Sequence, residues 1–145
     1  MAMYQAMLLP GTEMASNAHR EKFGLITKFR TIPGCIGIYD ILNKKHSVAE
    51  IEEIILGSNT LSTNDYLECR VMNLVIETFY NNAMFEEIYP MLKTINVSPM
   101  DCLIYIKEHP ELYTKRIKEI LASFVAETTE DLFPTWDKAN EYVLK

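Results

Sequence analysis

The distribution of glycine divides this chain of 145 residues into two parts with different folding preferences. All five glycines lie within the first 60 residues, and residues 61–145 contain none. Because glycine usually marks turns and helix ends, a glycine-free stretch that is rich in good helix formers favours helices. We therefore expect a mainly α protein of the α+β type, in which a small β-hairpin element precedes a C-terminal bundle of about five helices.

Start signals and apolar periodicity place the helices of the second part. Ser62 is expected to cap the first of them. The sequence SPMD at Ser98 combines a cap, a proline at the first helical position and an acid in the first turn. Leu74 and Ile120 lie on the densest apolar stripes, so we expect both in the packed core. The expected helices cover residues 62–80, 83–95, 98–108, 111–126 and 128–144.

The first 60 residues carry shorter signals. Residues 4–9 form an apolar run that ends at Pro-Gly, which is typical of a short strand. Residues 14–23 predict a helix, and Gly24 supplies its C-terminal stop. Residues 27–32 alternate in polarity and residues 35–41 suit a second strand, so the Pro-Gly pair between them predicts the turn of a hairpin.

Charge and composition exclude several classes of protein. The net charge is −6, which argues against nucleic acid as a partner, because phosphate neutralisation needs clustered Lys and Arg. No apolar run approaches the roughly 20 residues that span a bilayer, and the N-terminus lacks a signal-peptide pattern. The three cysteines are an odd number and lie far apart, so a disulfide framework is not expected. We expect a cytoplasmic protein that binds neither nucleic acid nor membrane.

The residues that could carry chemistry form no known motif. The three cysteines lie 34 and 33 residues apart, and no histidine has a partner at ligand spacing. We expect Cys69 and Cys102 to be small buried residues on helix faces. Glu52 and Glu53 are expected to lie on a solvated face, since adjacent acids on a helix point apart. No phosphate-binding glycine loop and no nucleophile elbow is present.

Several ordered blocks of the sequence resemble a known family. Residues 3–40 read MYQAMLLPGTEMASNAHREKFGLITKFRTIPGCIGIYD, and the blocks EIEEIILGSNTLSTNDYLECR and NLVIETFYNN follow. Together they resemble the last stretch of the catalytic barrel, and the tail beyond it, in radical S-adenosylmethionine proteins with an N-terminal cobalamin-binding domain. The resemblance implies that residues 1–60 are the end of such a barrel and that residues 61–145 are its helical C-terminal domain.

Residues 47–57 fit two different structures. The sequence SVAE at Ser47 is a capping box, and Val48 and Ile51 belong to a helical period. The run Ile-Ile-Leu that begins at Ile54 favours a strand instead. The residues leave both alternatives open, and the resemblance implies a strand.

The resemblance implies an accessory function. The CxxxCxxC triad that holds the family's iron–sulfur cluster is absent, and so is the Asp-x-His-x-x-Gly signature of its cobalamin domain. We therefore expect no cofactor in this chain and no catalysis by it alone, whereas the whole family protein uses S-adenosylmethionine, an iron–sulfur cluster and cobalamin. The chain would help to close the barrel or to select substrate. Its LPGTE turn would follow a barrel strand near the cofactor, which makes Gly11, Thr12 and Glu13 the candidate binding residues.

The sequence leads us to expect one of two kinds of binding partner for this chain. The first is the remainder of a radical S-adenosylmethionine protein, and the alternative is a free-standing helical module that binds another protein through an apolar groove. The segment Tyr4–Leu9 would be a barrel strand without its barrel neighbours, so we expect it to pair with residues 27–41 or to form a homodimer with a second copy.

Overall fold

The computed structural model describes residues 4–83 and 85–143, which form an α+β protein with six α-helices and a three-stranded antiparallel sheet. The strands are β1 (Met7–Leu8), β2 (Ile26–Ile41) and β3 (Lys44–Gly57). The helices are α1 (Asn17–Phe23), α2 (Thr63–Ile76), α3 (Ile88–Thr94), α4 (Pro99–Glu108), α5 (Lys115–Glu130) and α6 (Trp136–Val143). The expectation of a mainly α protein with a small hairpin is wrong, because β2 and β3 are 16 and 14 residues long and pair along nearly their whole length.

The described residues divide into two compact units. The helical unit consists of residues 64–126, and the sheet unit combines residues 4–63 with residues 127–143. Val75, Ile76 and Leu103 form the buried cluster of the helical unit. The buried apolar side chains of the sheet unit are Leu8, Ala49, Ile54, Leu56 and Ala139. The predicted division at residue 60 refers to the parts of a radical S-adenosylmethionine protein and stays a prediction.

The hairpin turns at a different place from the one predicted. Its turn is formed by Leu42 and Asn43, whose φ angles of 51° and 61° match the right-handed twist of the strands that they join. Pro33 and Gly34 lie inside β2, where the register with β3 shifts. Proline has no backbone N–H group. It is tolerated there because a bulge on an edge strand does not need a hydrogen-bond donor at that position. Residues 47–57 belong to β3, which settles the alternative in favour of the strand.

The N-terminal segment pairs with β3. Met7 lies opposite Ile54 and Leu8 lies opposite Glu53, so the sheet has the order β1-β3-β2. The expected pairing of this segment with residues 27–41 is therefore wrong, because β3 separates it from β2. Its strand is only two residues long, and a dimer through this segment stays a prediction.

Local capping signals fix the first helix. The Ser16 side chain caps α1 by accepting a hydrogen bond from the His19 amide at 3.3 Å. Gly24 ends the helix in the left-handed conformation with φ of 57°, as the sequence predicts. The helix begins at Asn17, later than expected, because residues 13–15 form a separate 3-10 turn.

The last helix also belongs to the sheet unit. It begins at Trp136, and the Thr135 hydroxyl accepts a hydrogen bond from the Lys138 amide at 3.3 Å. The expected start at residue 128 is wrong because α5 continues to Glu130. Ala139 of α6 is fully buried where the helix packs against β2 and β3.

Among the described residues, helices α2, α3 and α4 and most of α5 belong to the helical unit. Ser98 caps α4 through the Met100 amide with Pro99 at the first helical position, which confirms the predicted start. Helix α2 ends at Ile76 and continues as a π-helical turn over Glu77–Asn81. Ile120 is 48% exposed, so its expected place in the packed core is wrong.

Candidate functional site

The structure places the three predicted binding residues in one exposed turn. Gly11 has a φ of 84°, which an L-residue rarely adopts, so glycine permits the turn. The Thr12 hydroxyl donates a hydrogen bond to the Leu9 carbonyl at 2.8 Å, and the Thr12 amide donates to the same oxygen at 3.2 Å. The Glu13 carboxylate is exposed and lies 3.6 Å from His19 Nδ1. Glycine and threonine therefore shape the turn, and only Glu13 offers a group to a ligand.

A cleft of about 440 Å³ lies beside this turn in the sheet unit. Leu9 and Pro10, the residues directly before Gly11, form part of its wall, together with Phe29 and Trp136. Gly11, Thr12 and Glu13 are not among its lining residues. The cleft is thus mainly apolar where it meets the N-terminal strand.

A partly buried ion pair supports the sheet beside the cleft. Arg20 of α1 donates two hydrogen bonds to the two carboxylate oxygens of Glu53, each at 2.6 Å, and the Thr27 hydroxyl donates a third at 2.5 Å. Hydrogen bonding to Arg20 lowers the pKa of the Glu53 carboxyl, although burial acts in the opposite direction. The same bond raises the pKa of the Arg20 guanidinium. Glu53 therefore carries a fixed negative charge and is poorly suited to proton transfer near neutral pH.

A second ion pair uses the neighbouring carboxylate. Arg30 Nε donates to Glu52 Oε1 at 2.5 Å, and the Glu52 side chain is only 10% exposed. The expectation of a solvated face for Glu52 and Glu53 is wrong because they lie on a strand, where adjacent side chains point to opposite faces. Each carboxylate consequently meets its own arginine. The charges of Arg20 and Arg30 are thus both balanced by carboxylates of the same chain.

The three cysteines are divided between the two units of the described part of the chain. Cys69 is exposed, so its expected burial is wrong, and Cys102 and Cys35 are half-buried. Cys35 belongs to the sheet unit and the other two to the helical unit. His109 stacks on Tyr105 with 3.8 Å between ring centroids. Among residues 4–83 and 85–143, no group of three or more His, Cys, Asp or Glu is arranged to hold a metal ion.

The helical unit contains an apolar cavity of about 250 Å³. Its wall includes Leu74 and Phe79, Phe85, and Ile117 and Ile120 of α5. Phe79 lies in the π-helical turn, a local geometry that often accompanies functional sites. The sequence pattern identified Leu74 and Ile120 as apolar, but the cavity between their helices requires the tertiary structure.

The edge of the sheet at β1 exposes apolar side chains. Met7, Leu9 and Met14 are all exposed although they are large and apolar. β1 is an edge strand, and within the described residues no strand pairs with its outer side. Unpaired backbone groups beside apolar side chains are a template for pairing with another chain.

Comparison with known proteins gives no relative: no family model, no curated protein and no solved structure matches this chain. None of the helices in the described part of the chain has the length and apolar character that crossing a bilayer requires.

Proposed function

We propose that this chain is a non-catalytic accessory C-terminal domain of a cobalamin-binding radical S-adenosylmethionine enzyme. It docks through its sheet unit on the catalytic barrel, and it helps to close that barrel or to select substrate. The observation that carries the proposal is the open edge of the sheet at β1, where the apolar side chains of Met7 and Leu9 are exposed. Another strand would satisfy that edge and cover those side chains.

The cleft beside β1 supports docking at the same place. Leu9, Pro10 and Trp136 line a space of about 440 Å³ that a partner's apolar side chains can enter. Apolar anchors that fill a pocket supply most of the binding energy in protein interfaces. Edge pairing and anchoring would act on one continuous surface of the sheet unit.

The paired charges support an accessory role over a catalytic one. Arg20 and Arg30 are engaged by Glu53 and Glu52, so both of these cations already have partners within the chain. The cysteines and histidines described above do not fit an iron–sulfur cluster or a cobalamin ligand set. S-adenosylmethionine, the cluster and cobalamin would therefore be held by the partner. Glu13, which is exposed, is the residue of this chain that would face them.

The proposal includes a cytoplasmic location. Cys35, Cys69 and Cys102 are free thiols in the structure. Free thiols are typical of a reducing compartment.

The test is binding and turnover with a cysteine-triad protein from a neighbouring reading frame. We expect the chain to bind that protein and to increase its formation of product. Met7→Lys, which sets a charge on the open edge, should weaken binding at least about tenfold. Met91→Lys is the matched control, because Met91 is an exposed methionine of the helical unit.

Two results would contradict the proposal. One is the absence of any triad-containing reading frame beside the gene for this chain. The other is equal binding of the Met7→Lys and Met91→Lys variants, since docking through the β1 edge requires them to differ.

The alternative function is a free-standing helical module that binds another protein through an apolar groove. The observation that favours it is the cavity of about 250 Å³ in the helical unit, beside the exposed side chains of Ile117 and Ile120. Ile120→Lys separates the two functions. It should abolish partner binding by the helical module and leave docking through β1 unchanged.

A further inference from the structure

The long hairpin carries a two-stranded extension, here named the hairpin arm, that comprises residues 35–49. In it, Ile36–Ile41 of β2 pair with Lys44–Ala49 of β3. β1 pairs with β3 at residues 53 and 54, and Phe133 bridges β2 at Phe29. Within the described residues the arm therefore has no third strand. Two-stranded ribbons are marginally stable in water, and a third strand greatly stabilises them.

The arm exposes six large apolar side chains. Ile38 is 69% exposed and Leu42 at the turn is 93% exposed. The exposed apolar residues of the arm are Ile36, Ile38, Tyr39, Ile41, Leu42 and Val48. Clustered exposed apolar residues mark interaction surfaces more often than single ones do.

The two edges of the arm differ in charge. The edge formed by β3 begins with Lys44 and Lys45, and lysines on an edge strand discourage pairing with another chain. The edge formed by β2 carries one charge, Asp40, which lies opposite Lys45 of its own hairpin. Pro33 and the register shift bound this edge on one side, and the turn bounds it on the other. The available edge therefore covers residues 35–41.

We propose that this β2 edge pairs with the same edge of a second copy of the chain, antiparallel about a two-fold axis at Ile38. In this register Ile38 faces Ile38 of the second copy, and Gly37 faces its Tyr39. In each chain the Tyr39 ring already covers Gly37, because a Cβ atom placed on Gly37 would lie 2.8 Å from Tyr39 Cε2. Aromatic side chains beside strand glycines stabilise sheets, and in this register Tyr39 of each copy also lies beside Gly37 of the other copy.

Neighbouring registers are less favourable. An axis at Gly37 sets two glycines opposite each other, where no side chains meet. An axis at Tyr39 pairs only residues 37–41 of the available edge, two fewer than the axis at Ile38, and an axis at Asp40 brings two carboxylates together. With the axis at Ile38, the two Asp40 residues are four strand positions apart, about 13 Å.

The area of the interface determines how tightly the two copies bind, and the outer edges of the resulting sheet determine how many copies associate. Only seven residues of each copy pair, so the interface falls below the roughly 1,200 Å² of a stable complex, and we expect a micromolar dimer. The outer edges of the resulting four-stranded sheet are the lysine-bearing β3 edges. Further strand addition is therefore discouraged, and association should stop at two copies.

The experiment is sedimentation equilibrium of the full chain between about 1 μM and about 1 mM. We expect the wild-type mass to rise to that of a dimer. Ile38→Lys sets two like charges opposite each other and should raise the dissociation constant at least about tenfold. Val48→Lys is the matched control, since it puts a lysine on the same arm outside the pairing edge, and it should dimerise like the wild type.

A cross-linking experiment tests the register. In a variant with Cys35, Cys69 and Cys102 changed to serine, Ile38→Cys should form an intermolecular disulfide faster than Ile36→Cys, because Ile36 faces Asp40 of the second copy. The proposal would be overturned if the wild type stayed monomeric at every concentration. It would also be overturned if the arm bound other proteins but not a second copy of the chain. Equal dimerisation of Ile38→Lys, or faster cross-linking at position 36, would overturn it as well.

Discussion

Individual side chains in this protein are fixed by partners that lie far away along the sequence. Arg20 contacts Glu53, and Arg30 contacts Glu52. Glu52 and Glu53 are adjacent in the sequence, but strand alternation sends their side chains to different arginines. The identity of each residue determines its charge, and its place in the strand determines the direction in which its side chain points.

Glu53→Gln is expected to destabilise the protein in a pH-dependent way. Removing a charge-assisted hydrogen bond should lower the free energy of unfolding by about 1.5–3 kcal/mol at neutral pH. The pKa of Glu53 is lowered from its ordinary value of 4.5, chiefly by the hydrogen bond from Arg20. This contribution is therefore fully present above about pH 4.5 and is lost as the pH falls through the folded-state pKa.

Urea unfolding at neutral pH and at about pH 3 measures this effect. Wild type and Glu53→Gln should differ most at neutral pH and converge in acid. Glu13→Gln is the control, because its carboxylate is 87% exposed, and it should change stability by less than about 0.5 kcal/mol. A constant difference between wild type and Glu53→Gln at both pH values would contradict the assignment.

Gly24→Ala is expected to cost more than Gly11→Ala. Both glycines have positive φ angles, 57° and 84°, so alanine at either position costs about 1–2 kcal/mol in backbone strain. A Cβ at Gly24 would also lie 2.1 Å from Asn59 Oδ1, whereas no atom lies within 4 Å of one at Gly11. Displacing Asn59 breaks its hydrogen bond to the Lys22 carbonyl, which adds about 1 kcal/mol.

Urea midpoints of the two single variants test this order. Introducing Gly24→Ala into an Asn59→Ala variant separates the cost of the contact with Asn59 from the cost of the positive φ angle. In that variant, Gly24→Ala should lower stability by about as much as Gly11→Ala lowers that of the wild type. If the two single variants are equally destabilised, the contact with Asn59 is without effect.

At the scale of secondary-structure elements, the helical unit has a small core and a loosely filled side. Val75 and Ile76 of α2 pack with Leu103 of α4. The side chains of α5 that face the cavity, Ile117 and Ile120, remain partly exposed. The apolar stripe of α5 therefore indicates its facing side but overstates its burial.

Ile76→Ala and Ile120→Ala are expected to differ strongly. Ile76 is 1% exposed, so its truncation leaves a cavity that costs about 2–5 kcal/mol. Ile120 is half exposed, and its truncation should cost less than about 1 kcal/mol. Urea unfolding followed by far-ultraviolet circular dichroism measures both. Equal losses would show that α5 packs more tightly than its exposure indicates.

At the scale of the whole molecule, segments from both ends of the chain complete one unit. The amide of Phe29 donates to the Phe133 carbonyl at 2.9 Å, and the amide of Phe133 donates to the Phe29 carbonyl at 2.7 Å. Ala139 is fully buried in the same unit. The sheet unit therefore needs residues 127–143, which the sequence pattern assigns to a helical bundle.

Ala139→Leu is expected to destabilise the sheet unit selectively. Three additional carbons at a filled position cost about 1–3 kcal/mol. Trp136 is the single tryptophan and lies in this unit, so its fluorescence reports on the sheet unit during unfolding. Ala139→Leu should shift the fluorescence transition more than the circular dichroism transition, and Ile76→Ala should do the reverse. Identical shifts by both probes would show that the units unfold together.

The sequence by itself determined the features that close within a few residues. Ser98 before proline and Gly24 after a helix satisfy backbone groups three or four positions away, so their caps are readable from the chain. Gly11 and Thr12 likewise form their turn locally, although nothing in the sequence shows that the Thr12 hydroxyl donates its hydrogen bond to the Leu9 carbonyl.

Only the tertiary structure decided whether residues 47–57 are strand or helix, where the hairpin turns, and which carboxylate each arginine meets. Each of these depends on a partner far along the chain, such as Glu53, which lies 33 positions from Arg20. Local propensities for the competing structures differ by less than the free energy that such pairing and burial supply. The same reason explains α6: the sequence predicts a last helix within residues 128–144, but not its start at Trp136 or the sheet against which Ala139 is buried.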